Sequence, residues 1–213
     1  MSRAVIVCGA KIKDYEAVSS YFRDDDFFIY CDSGLVHEDR FISPVDSSAD
    51  LIIGDFDSHE KPDRNTEIII LPHEKDDTDS MYAIKETVKR GFDEVVLVGA
   101  VGDRFDHSLV NVYALLYLYE RDVKGMIVDD YSEMVLIGNK HTESVADDFE
   151  YFSLVAVSGT ASGVSIKNAL YELEDGIIEP SYQYATSNEP IKGKGNAVIS
   201  LDEGYLLLIR DRY

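Results

Sequence analysis

Short apolar runs alternate with amphipathic stretches along the chain up to about residue 130. The apolar runs predict strands at residues 4–8, 27–31, 51–53, 68–71, 95–98 and 126–128. Several of these runs are apolar at every position, which is typical of strands covered on both faces. Helical periodicity falls between the strands, at residues 14–23, 78–90 and 104–120. This alternation predicts an α/β domain with a mostly parallel sheet.

Two of the predicted helices have informative sequences. In the second helix, Asp77 or Thr78 can cap the N-terminus and Asp79 lies in the first turn. The basic pair at residues 89–90 lies in the last turn and Gly91 follows it, as expected at a helix C-terminus. The third helix is apolar on most of its sides, so we expect it to be buried.

The pattern changes after about Gly138, where no long helical period remains. Short strands are predicted at residues 152–157, 169–173, 197–201 and 205–209, with turns at residues 175–176, 193–195 and 202–204. These elements predict a small all-β unit. We therefore expect an α/β domain at residues 1–140 and an all-β domain at residues 141–213.

The chain is strongly acidic, with 20 basic and 41 acidic residues and a formal net charge of −21. Such a charge repels nucleic-acid phosphates, so we expect no binding to DNA or RNA. Because no run of about 18 uncharged apolar residues occurs, no membrane span is expected. The two cysteines, Cys8 and Cys31, end apolar runs and are predicted to be buried thiols, the alternatives being a disulfide or a nucleophile. These features, and an N-terminus without the apolar stretch of a signal peptide, predict a cytoplasmic protein.

Two aspartates follow the third predicted strand. Asp55 and Asp57 are separated by one residue, so in extended backbone they project to the same side. They stand at the carboxyl end of a strand, which is the edge where open α/β sheets bind ligands. Two adjacent carboxylates repel each other, and hard oxygen ligands suit Mg²⁺, so the pair predicts a metal site. The alternative is a solvated acidic turn in which Asp57 caps a helix.

A charged segment also follows the fourth predicted strand and opens the second helix. Lys75 could contact a phosphate at the helix N-terminus, and Asp79 could supply another metal oxygen. The alternative is ordinary capping, in which Asp77 and Thr78 satisfy the helix end and the other side chains are solvated.

The loop after the fifth strand carries a third cluster. Arg104 offers a planar donor fork for phosphate. Asp106 beside His107 offers a base or a metal ligand, and Asn111 lies one turn past His107 on the same helix face. A capped helix with a surface Arg–Asp pair is the alternative. The turn at residues 32–34, after the second strand, could approach a nucleotide closely, although neither a Walker-type loop nor a dinucleotide-binding glycine motif occurs.

With these pieces in this order, the chain resembles the thiamin pyrophosphokinase family. That family is marked by an Asp-small-Gly turn, a Gly-Asp-Phe-Asp-Ser segment, an Asp-x-Thr-Asp segment, a Gly-Gly-Arg-x-Asp-His segment and a Ser-Asn element in its β-rich part. The matching segments here are residues 32–34, 54–58, 76–79, 102–107 and 187–189. The resemblance implies an α/β catalytic domain followed by a β-sandwich that helps to hold thiamin, and a homodimer with active sites between subunits. It also implies transfer of the pyrophosphoryl group of ATP to the hydroxyl of thiamin, which gives thiamin diphosphate and AMP.

The resemblance further implies three sets of site residues. The Mg²⁺ ligands would be Asp55, Asp57 and Asp79, and the catalytic set would add Arg104 and Asp106, the latter as proton acceptor or metal support. The nucleotide contacts would be Asp32, Gly34, Lys75, Thr78, Arg104, His107 and Asn111. The thiamin contacts would be Ser187 and Asn188.

The chain departs from the family pattern at two points. Asp103 stands where the family has a second glycine, and we expect the turn to survive because Asp tolerates positive φ better than most residues. The chain also has no Trp, which some members stack on thiamin. Tyr182 or Tyr184 could replace that residue, and the alternative is that both are ordinary surface residues of a sheet.

Three other functions remain open at this point. A Mg²⁺-dependent nucleotide phosphohydrolase would use the same carboxylates with water as the acceptor. A non-catalytic nucleotide or thiamin sensor would bind without turnover, and a purely structural dimer would not need the acidic set. The phosphohydrolase does not account for the β-rich unit that carries residues 187–189, and binding alone does not require so many metal ligands.

Overall fold

The computed structural model describes residues 2–56, 62–74 and 76–212. The chain divides into two compact units, residues 1–130 and 131–213. This division lies closer to the N-terminus than the boundary predicted at residue 140, because the strand at Ser132–Ile137 pairs with a strand of the C-terminal unit. A sequence pattern shows where a strand lies but not with which strand it pairs.

Among the described residues, the first unit contains a six-stranded sheet with the order β4-β3-β2-β1-β5-β6. Each of its strand pairs is parallel. The strands are β1 (Arg3–Val7), β2 (Phe27–Cys31), β3 (Leu51–Gly54), β4 (Glu67–Ile70), β5 (Glu94–Val98) and β6 (Lys124–Val128). The helices are α1 (Tyr15–Ser19), α2 (Asp79–Arg90) and α3 (Phe105–Tyr119). The predicted α/β domain with a parallel sheet is therefore confirmed.

Apolar strands form the centre of this unit because both faces of the sheet are covered. Every residue of β1 is buried. On one face, Val5 and Val7 pack in a cluster with Tyr15 and Val18 of α1. Helix α1 is shorter than predicted: after Ser20 the backbone tightens, and the N–H groups of Tyr21 and Phe22 bond to carbonyls three residues back.

The ends of α2 agree with the sequence signals. The Oγ1 atom of Thr78 accepts a hydrogen bond of 3.2 Å from the backbone N–H of Met81, so Thr78 is the N-cap. Gly91 ends the helix in a left-handed conformation with φ +80°. Local capping chemistry therefore sets both ends of this helix.

Helix α3 is not buried on most of its sides, so that prediction was wrong. Its inner stripe, Ala114, Leu115 and Leu118, is buried. The outer stripe is exposed, and Phe105 and Tyr113 are 75% and 48% accessible. An apolar residue shows only that a side chain can be buried, and the packing of the unit decides which face of the helix is covered.

The second unit consists of two antiparallel sheets. Its strands are β7 (Ser132–Ile137), β8 (His141–Val145), β9 (Tyr151–Ala156), β10 (Ala161–Lys167), β11 (Leu173–Ile178), β12 (Ala197–Leu201) and β13 (Leu206–Asp211). In one sheet β13 pairs with β7 and β9, and the other has the order β11-β10-β12-β8. Side chains from both sheets, among them Phe152, Leu206, Val164 and Ile199, share one buried cluster. The predicted all-β sandwich is therefore confirmed.

The strand predicted at residues 169–173 is wrong. Leu170 and Tyr171 are 55% and 66% accessible, and residues 168–172 form a loop between β10 and β11, which begins only at Leu173. The turn predicted at residues 175–176 lies inside β11, where Asp175 has φ +49° and the register with β10 shifts. A β-bulge therefore produced the turn-like signal.

Both cysteines are buried and free, as predicted. None of the helices in the described ranges is both long and apolar enough to cross a membrane.

Candidate active site

A cavity of about 580 Å³ lies at the carboxyl ends of β1, β2 and β5. The chain passes from β1 to β2 on one side and later returns to β5 on the other side of β1. Such a reversal of strand order is where open α/β sheets bind ligands. Residues at the N-termini of α2 and α3 also line the cavity, and helix N-termini favour anions.

The start of α2 contributes the acidic side of the cavity. Thr78, Asp79 and Ser80 line it. The hydroxyl oxygens of Thr78 and Ser80 are 3.1 Å apart and hydrogen-bonded. Because Asp79 lies in the first helical turn, its carboxylate is held close to the helix N-terminus.

Asn111 ties the start of α2 to the loop after β5. Its side chain is buried; Oδ1 accepts a 2.8 Å hydrogen bond from the Ser80 hydroxyl, and Nδ2 donates one of 2.8 Å to the Ala100 carbonyl. Asn111 also lines the cavity. The side chain therefore positions two walls of the cavity relative to each other.

We expect Asn111→Ala to lower the free energy of unfolding by about 1–3 kcal/mol, because Ser80 and Ala100 would lose a buried hydrogen-bond partner. Urea unfolding curves measure this loss. The matched control is Asn196→Ala, because Asn196 is exposed and its change should stay within about 0.5 kcal/mol. Equal unfolding free energies for the two variants would show that the hydrogen bonds of Asn111 do not stabilise the fold.

Glycines at two positions let the loop after β5 approach the loop after β1. Gly99 has φ +60°, and a Cβ atom there would lie 2.5 Å from the Cys8 carbonyl oxygen. A Cβ atom on Gly102 would lie 2.7 Å from Cβ of Ala10. Asp103 is not among the residues with positive φ. The aspartate at the family's second glycine position therefore carries no left-handed strain.

Arg104 and His107 line the cavity, whereas Asp106 is an exposed partner of Arg104. The Nη2 and Nε atoms of Arg104 donate to the two oxygens of Asp106 at 2.6 and 3.1 Å. This hydrogen-bonded guanidinium lowers the pKa of Asp106 to about 2. Asp106 is therefore a poor proton acceptor near neutral pH while the pair is intact.

The turn after β2 lies against the ends of β1 and β3. Asp32 is buried, and a Cβ atom on Gly54 would lie 2.5 Å from its Cβ. A Cβ atom on Gly34 would overlap the Val7 carbonyl oxygen, so glycine is needed for this close packing. Between them, Ser33 lines the cavity. The turn continues as a 3₁₀ segment, Asp32–Arg40, which the sequence pattern did not indicate.

Asp55 follows β3 and is not among the described residues that line the cavity. Its side chain is 15% accessible, and one carboxylate oxygen lies 4.0 Å from Nδ1 of His73. Asp57 and Lys75 lie outside the described residues. Among the residues that the structure describes, no group of three or more potential metal ligands forms.

The loop after β1 is the part of the cavity that the sequence analysis missed. Gly9, Ala10 and Lys11 line the cavity, and Lys11 is an exposed cation beside it. The sequence signal that could have identified this loop is the one that identified the other loops, namely a glycine-containing turn directly after a buried strand.

Ser187 and Asn188 lie in the second unit. Ser187 is exposed with φ +55°, and its N–H donates to the Ser153 hydroxyl at 3.0 Å. Asn188 is buried, and its amide bonds to both the N–H and the carbonyl of Tyr171, at 3.0 and 2.7 Å. The polar atoms of Asn188 therefore hold the loop that contains Tyr171, and Tyr171 itself is 66% accessible. The roles assigned to Ser187 and Asn188 stay predictions.

The two tyrosines considered in place of a stacking Trp are also exposed. Tyr182 and Tyr184 are 68% and 41% accessible, and their ring centroids are 5.4 Å apart. A pair of neighbouring rings offers an aromatic surface, but their roles toward a ligand stay predictions.

Two family models match the chain. Residues 18–127 match the catalytic domain of thiamin pyrophosphokinase. Residues 140–206 match the vitamin B1 binding domain of thiamin pyrophosphokinase. The two matches fall in the two units of the structure, and together they cover most of the chain.

Several proteins of known identity are similar over nearly the whole chain. A curated thiamine pyrophosphokinase of Bacillus subtilis is 24% identical over 213 residues and covers 96% of both chains. A crystal structure of thiamine pyrophosphokinase from Bacillus subtilis has a TM-score of 0.84 at 22% identity, with 99% of each chain covered. The thiamin pyrophosphokinase structure from Geobacillus thermodenitrificans has a TM-score of 0.80 at 25% identity, covering 99% of this chain and 97% of that one.

Proposed function

Since this chain belongs to the thiamin pyrophosphokinase family, we propose that the cavity at the ends of β1, β2 and β5 is where it binds and activates ATP. The enzyme uses ATP as co-substrate and converts thiamin to thiamin diphosphate. The observation that carries the location is the convergence of two helix N-termini, the Arg104 guanidinium and the Asp79 carboxylate on one cavity. Such a set of groups can bind both an anion and the cation that accompanies it.

The phosphates of ATP would lie against the positive groups of the cavity. The N-termini of α2 and α3 offer backbone N–H groups and the positive ends of the helix dipoles. Arg104 can donate to phosphate oxygens with the N–H groups that its pair with Asp106 does not use, and Lys11 adds a point charge. A volume of about 580 Å³ is in the range of small-molecule sites. The chain's net charge of −21 makes such local cations necessary for an anionic substrate.

Mg²⁺ is proposed to bind Asp79 and Asp55, with Asp57 as a third ligand outside the described residues. The donors fit this ion in kind, since they are hard carboxylate oxygens at adjacent loops of the carboxyl edge. When bound, the ion supplies neutralisation of the phosphate charge. The chain's own part is to hold these carboxylates in place, because Asp79 is fixed by its helical turn and Asp55 by the end of β3.

The reaction forms a bond between the hydroxyl oxygen of thiamin and the β-phosphorus of ATP. The bond from that phosphorus to the oxygen bridging to the α-phosphate breaks, and AMP leaves. The residues contribute positioning and charge more than covalent chemistry. The hydroxyl proton must be accepted during attack, and the low pKa of Asp106 in its pair with Arg104 argues against Asp106 as that acceptor.

A homodimer is part of the proposal. The outer stripe of α3, which includes Phe105, Leu109, Val110 and Tyr113, is exposed and apolar. Contiguous apolar surface of this kind is typical of surfaces that bind a protein partner. Light scattering of the purified protein tests this part, and a cytoplasmic location stays a prediction.

The proposed function is tested by incubating the protein with ATP, Mg²⁺ and thiamin and measuring thiamin diphosphate and AMP by mass spectrometry. We expect both products in equal amounts, and no AMP when thiamin is omitted. AMP or inorganic phosphate formed without thiamin would instead indicate a phosphohydrolase. Binding of thiamin or ATP without turnover would indicate a sensor.

Ser187→Ala is expected to raise the KM for thiamin up to about tenfold with little change in kcat, because one hydrogen bond to the substrate is worth about 1 kcal/mol. Steady-state kinetics with varied thiamin measures this change. Ser158→Ala is the matched control, since Ser158 is an exposed serine of the same unit. An unchanged KM in Ser187→Ala would remove this hydroxyl from the thiamin site.

A further inference from the structure

Two thiols stand side by side at the floor of the cavity. The parallel register of β1 and β2 pairs Val7 with Tyr30, so the next residues, Cys8 and Cys31, are neighbours across the two strands. Neighbouring strands are roughly 4.8 Å apart. Disulfides connect Cα atoms roughly 4.4–6.8 Å apart, so this spacing is compatible with a bond.

Both thiols also point to the same face of the sheet. Val7 and Tyr30 pack in the cluster on the α1 face. Side chains alternate along a strand, so the cysteines that follow these residues point to the opposite face. Both line the cavity there. The side chains of Cys31 and Cys8 are hydrogen-bonded to each other, and this bond and, second, burial raise the pKa of the Cys31 thiol.

We propose that Cys8 and Cys31 form a reversible redox site. Oxidation by a peroxide joins the ends of β1 and β2 through a disulfide, and the disulfide inactivates the enzyme by disturbing the nucleotide cavity. The inactivation rests on the proposed function, whereas formation of the bond does not. Neither thiol has a role in the transfer reaction as described above. Their placement, paired and within the cavity rather than scattered in the core, is what distinguishes them from ordinary buried cysteines.

The chemistry balances with hydrogen peroxide as the oxidant. Cys8 is the more accessible residue, at 6% against 3% for Cys31, and its sulfur attacks one peroxide oxygen. The O–O bond breaks, one water leaves and a sulfenic acid forms. The Cys31 sulfur then attacks the Cys8 sulfur, the S–O bond breaks and a second water leaves. The chain loses two protons and two electrons, and a dithiol reductant reverses the change by thiol–disulfide exchange.

The bond should disturb the cavity because the sulfurs must move together. A disulfide is about 2.05 Å long, whereas non-bonded heavy atoms stand roughly 3.5–4.0 Å apart. Cys8 leads directly into the Gly9–Lys11 turn, and Cys31 leads into Asp32. A displacement of about 1 Å in a positioning element can lower a rate by about 100-fold. We therefore expect oxidation to reduce activity by roughly 10- to 100-fold.

The test treats the full-length protein with hydrogen peroxide and follows both mass and activity. The expected mass change is a loss of about 2 Da, and trypsin should release residues 4–11 joined to residues 24–40. Activity should fall with the same time course and return after addition of dithiothreitol. ATP with Mg²⁺ should slow the reaction by covering the cavity. The mass measurement stands even if the enzyme activity differs from the one proposed.

Cys31→Ala is the control variant, and each protein is compared with its own untreated activity. This variant should form no joined peptide and show no loss of activity that dithiothreitol restores. Oxidation of wild-type Cys8 to a sulfenic or higher acid without the joined peptide would overturn the proposal. A disulfide between two chains would also overturn it, as would a joined peptide that leaves activity unchanged. The wild-type peptide map alone decides the question if the variant fails to fold.

Discussion

Replacing Asp79 by asparagine is expected to lower kcat by roughly 100- to 1,000-fold while the protein remains folded. Asp79 lies in the cavity at the first turn of α2, where its charge would hold the metal that neutralises the transferring phosphoryl groups. Asparagine keeps the shape of the side chain but not its charge. Near a helix N-terminus, loss of this charge costs only about 0.3–1 kcal/mol of stability. Steady-state kinetics at several Mg²⁺ concentrations measures the effect, and excess Mg²⁺ should restore part of the activity.

The control for Asp79→Asn is Asp24→Asn. Asp24 is an exposed aspartate outside the cavity, so its replacement changes the net charge equally without touching the site. Its kcat should remain within about twofold of the wild-type value. The metal role of Asp79 is refuted if Asp79→Asn behaves like this control. A large fall in melting temperature of Asp79→Asn would instead assign the carboxylate a structural role.

Asp26→Ala is expected to lower the free energy of unfolding by about 3–5 kcal/mol. Arg3 and Asp26 form a buried ion pair, with side chains that are 3% and 0% accessible. Two hydrogen bonds of 2.6 Å join the guanidinium to both carboxylate oxygens, and a third goes from Arg3 to the Tyr21 carbonyl. Removing the carboxylate leaves a buried cation at the beginning of β1. Glu94, 3.7 Å from Arg3, compensates only in part.

Urea unfolding measures this effect, and Asp25→Ala provides the control. Asp25 is the exposed neighbour of Asp26, and its replacement should change the unfolding free energy by no more than about 0.5 kcal/mol. The double variant Arg3→Met, Asp26→Leu should be more stable than Asp26→Ala, because it removes both charges and refills the space. A double variant no more stable than Asp26→Ala would show that the loss comes from packing and not from an unpaired charge.

Local features of the chain could be predicted because the sequence encodes them within a few residues. The ends of α2 follow from Thr78 and Gly91, a hydroxyl cap and a residue that accepts positive φ. The buried strands follow from continuous apolar runs. Thr78, Asp79, Arg104, His107 and Asn111 lie in the lining of one cavity, because a strand followed by a helix N-terminus places them at one edge of the sheet. Their roles toward ATP and metal stay predictions.

Other features depend on contacts that are distant in the sequence. The sequence order suggested that the loops after consecutive strands lie next to each other, but β1 and β2 stand between β3 and β5. That order brings Lys11 into the cavity, whereas Asp55 is not among the described residues that line it. The exposed side of α3 and the loop at residues 168–172 were missed for the same kind of reason, because apolar composition does not tell which surface the rest of the fold covers.

The sequence by itself determined the two-domain plan, the helix caps and the kinds of side chain available for phosphate and metal, since each depends on short-range propensity and chemistry. Only the tertiary structure decided which loops meet, that Arg104 and Asp106 bond to each other, and that Cys8 lies beside Cys31. The reason is physical: strand order and register are set by the burial and hydrogen bonding of whole strands, which no short segment specifies alone.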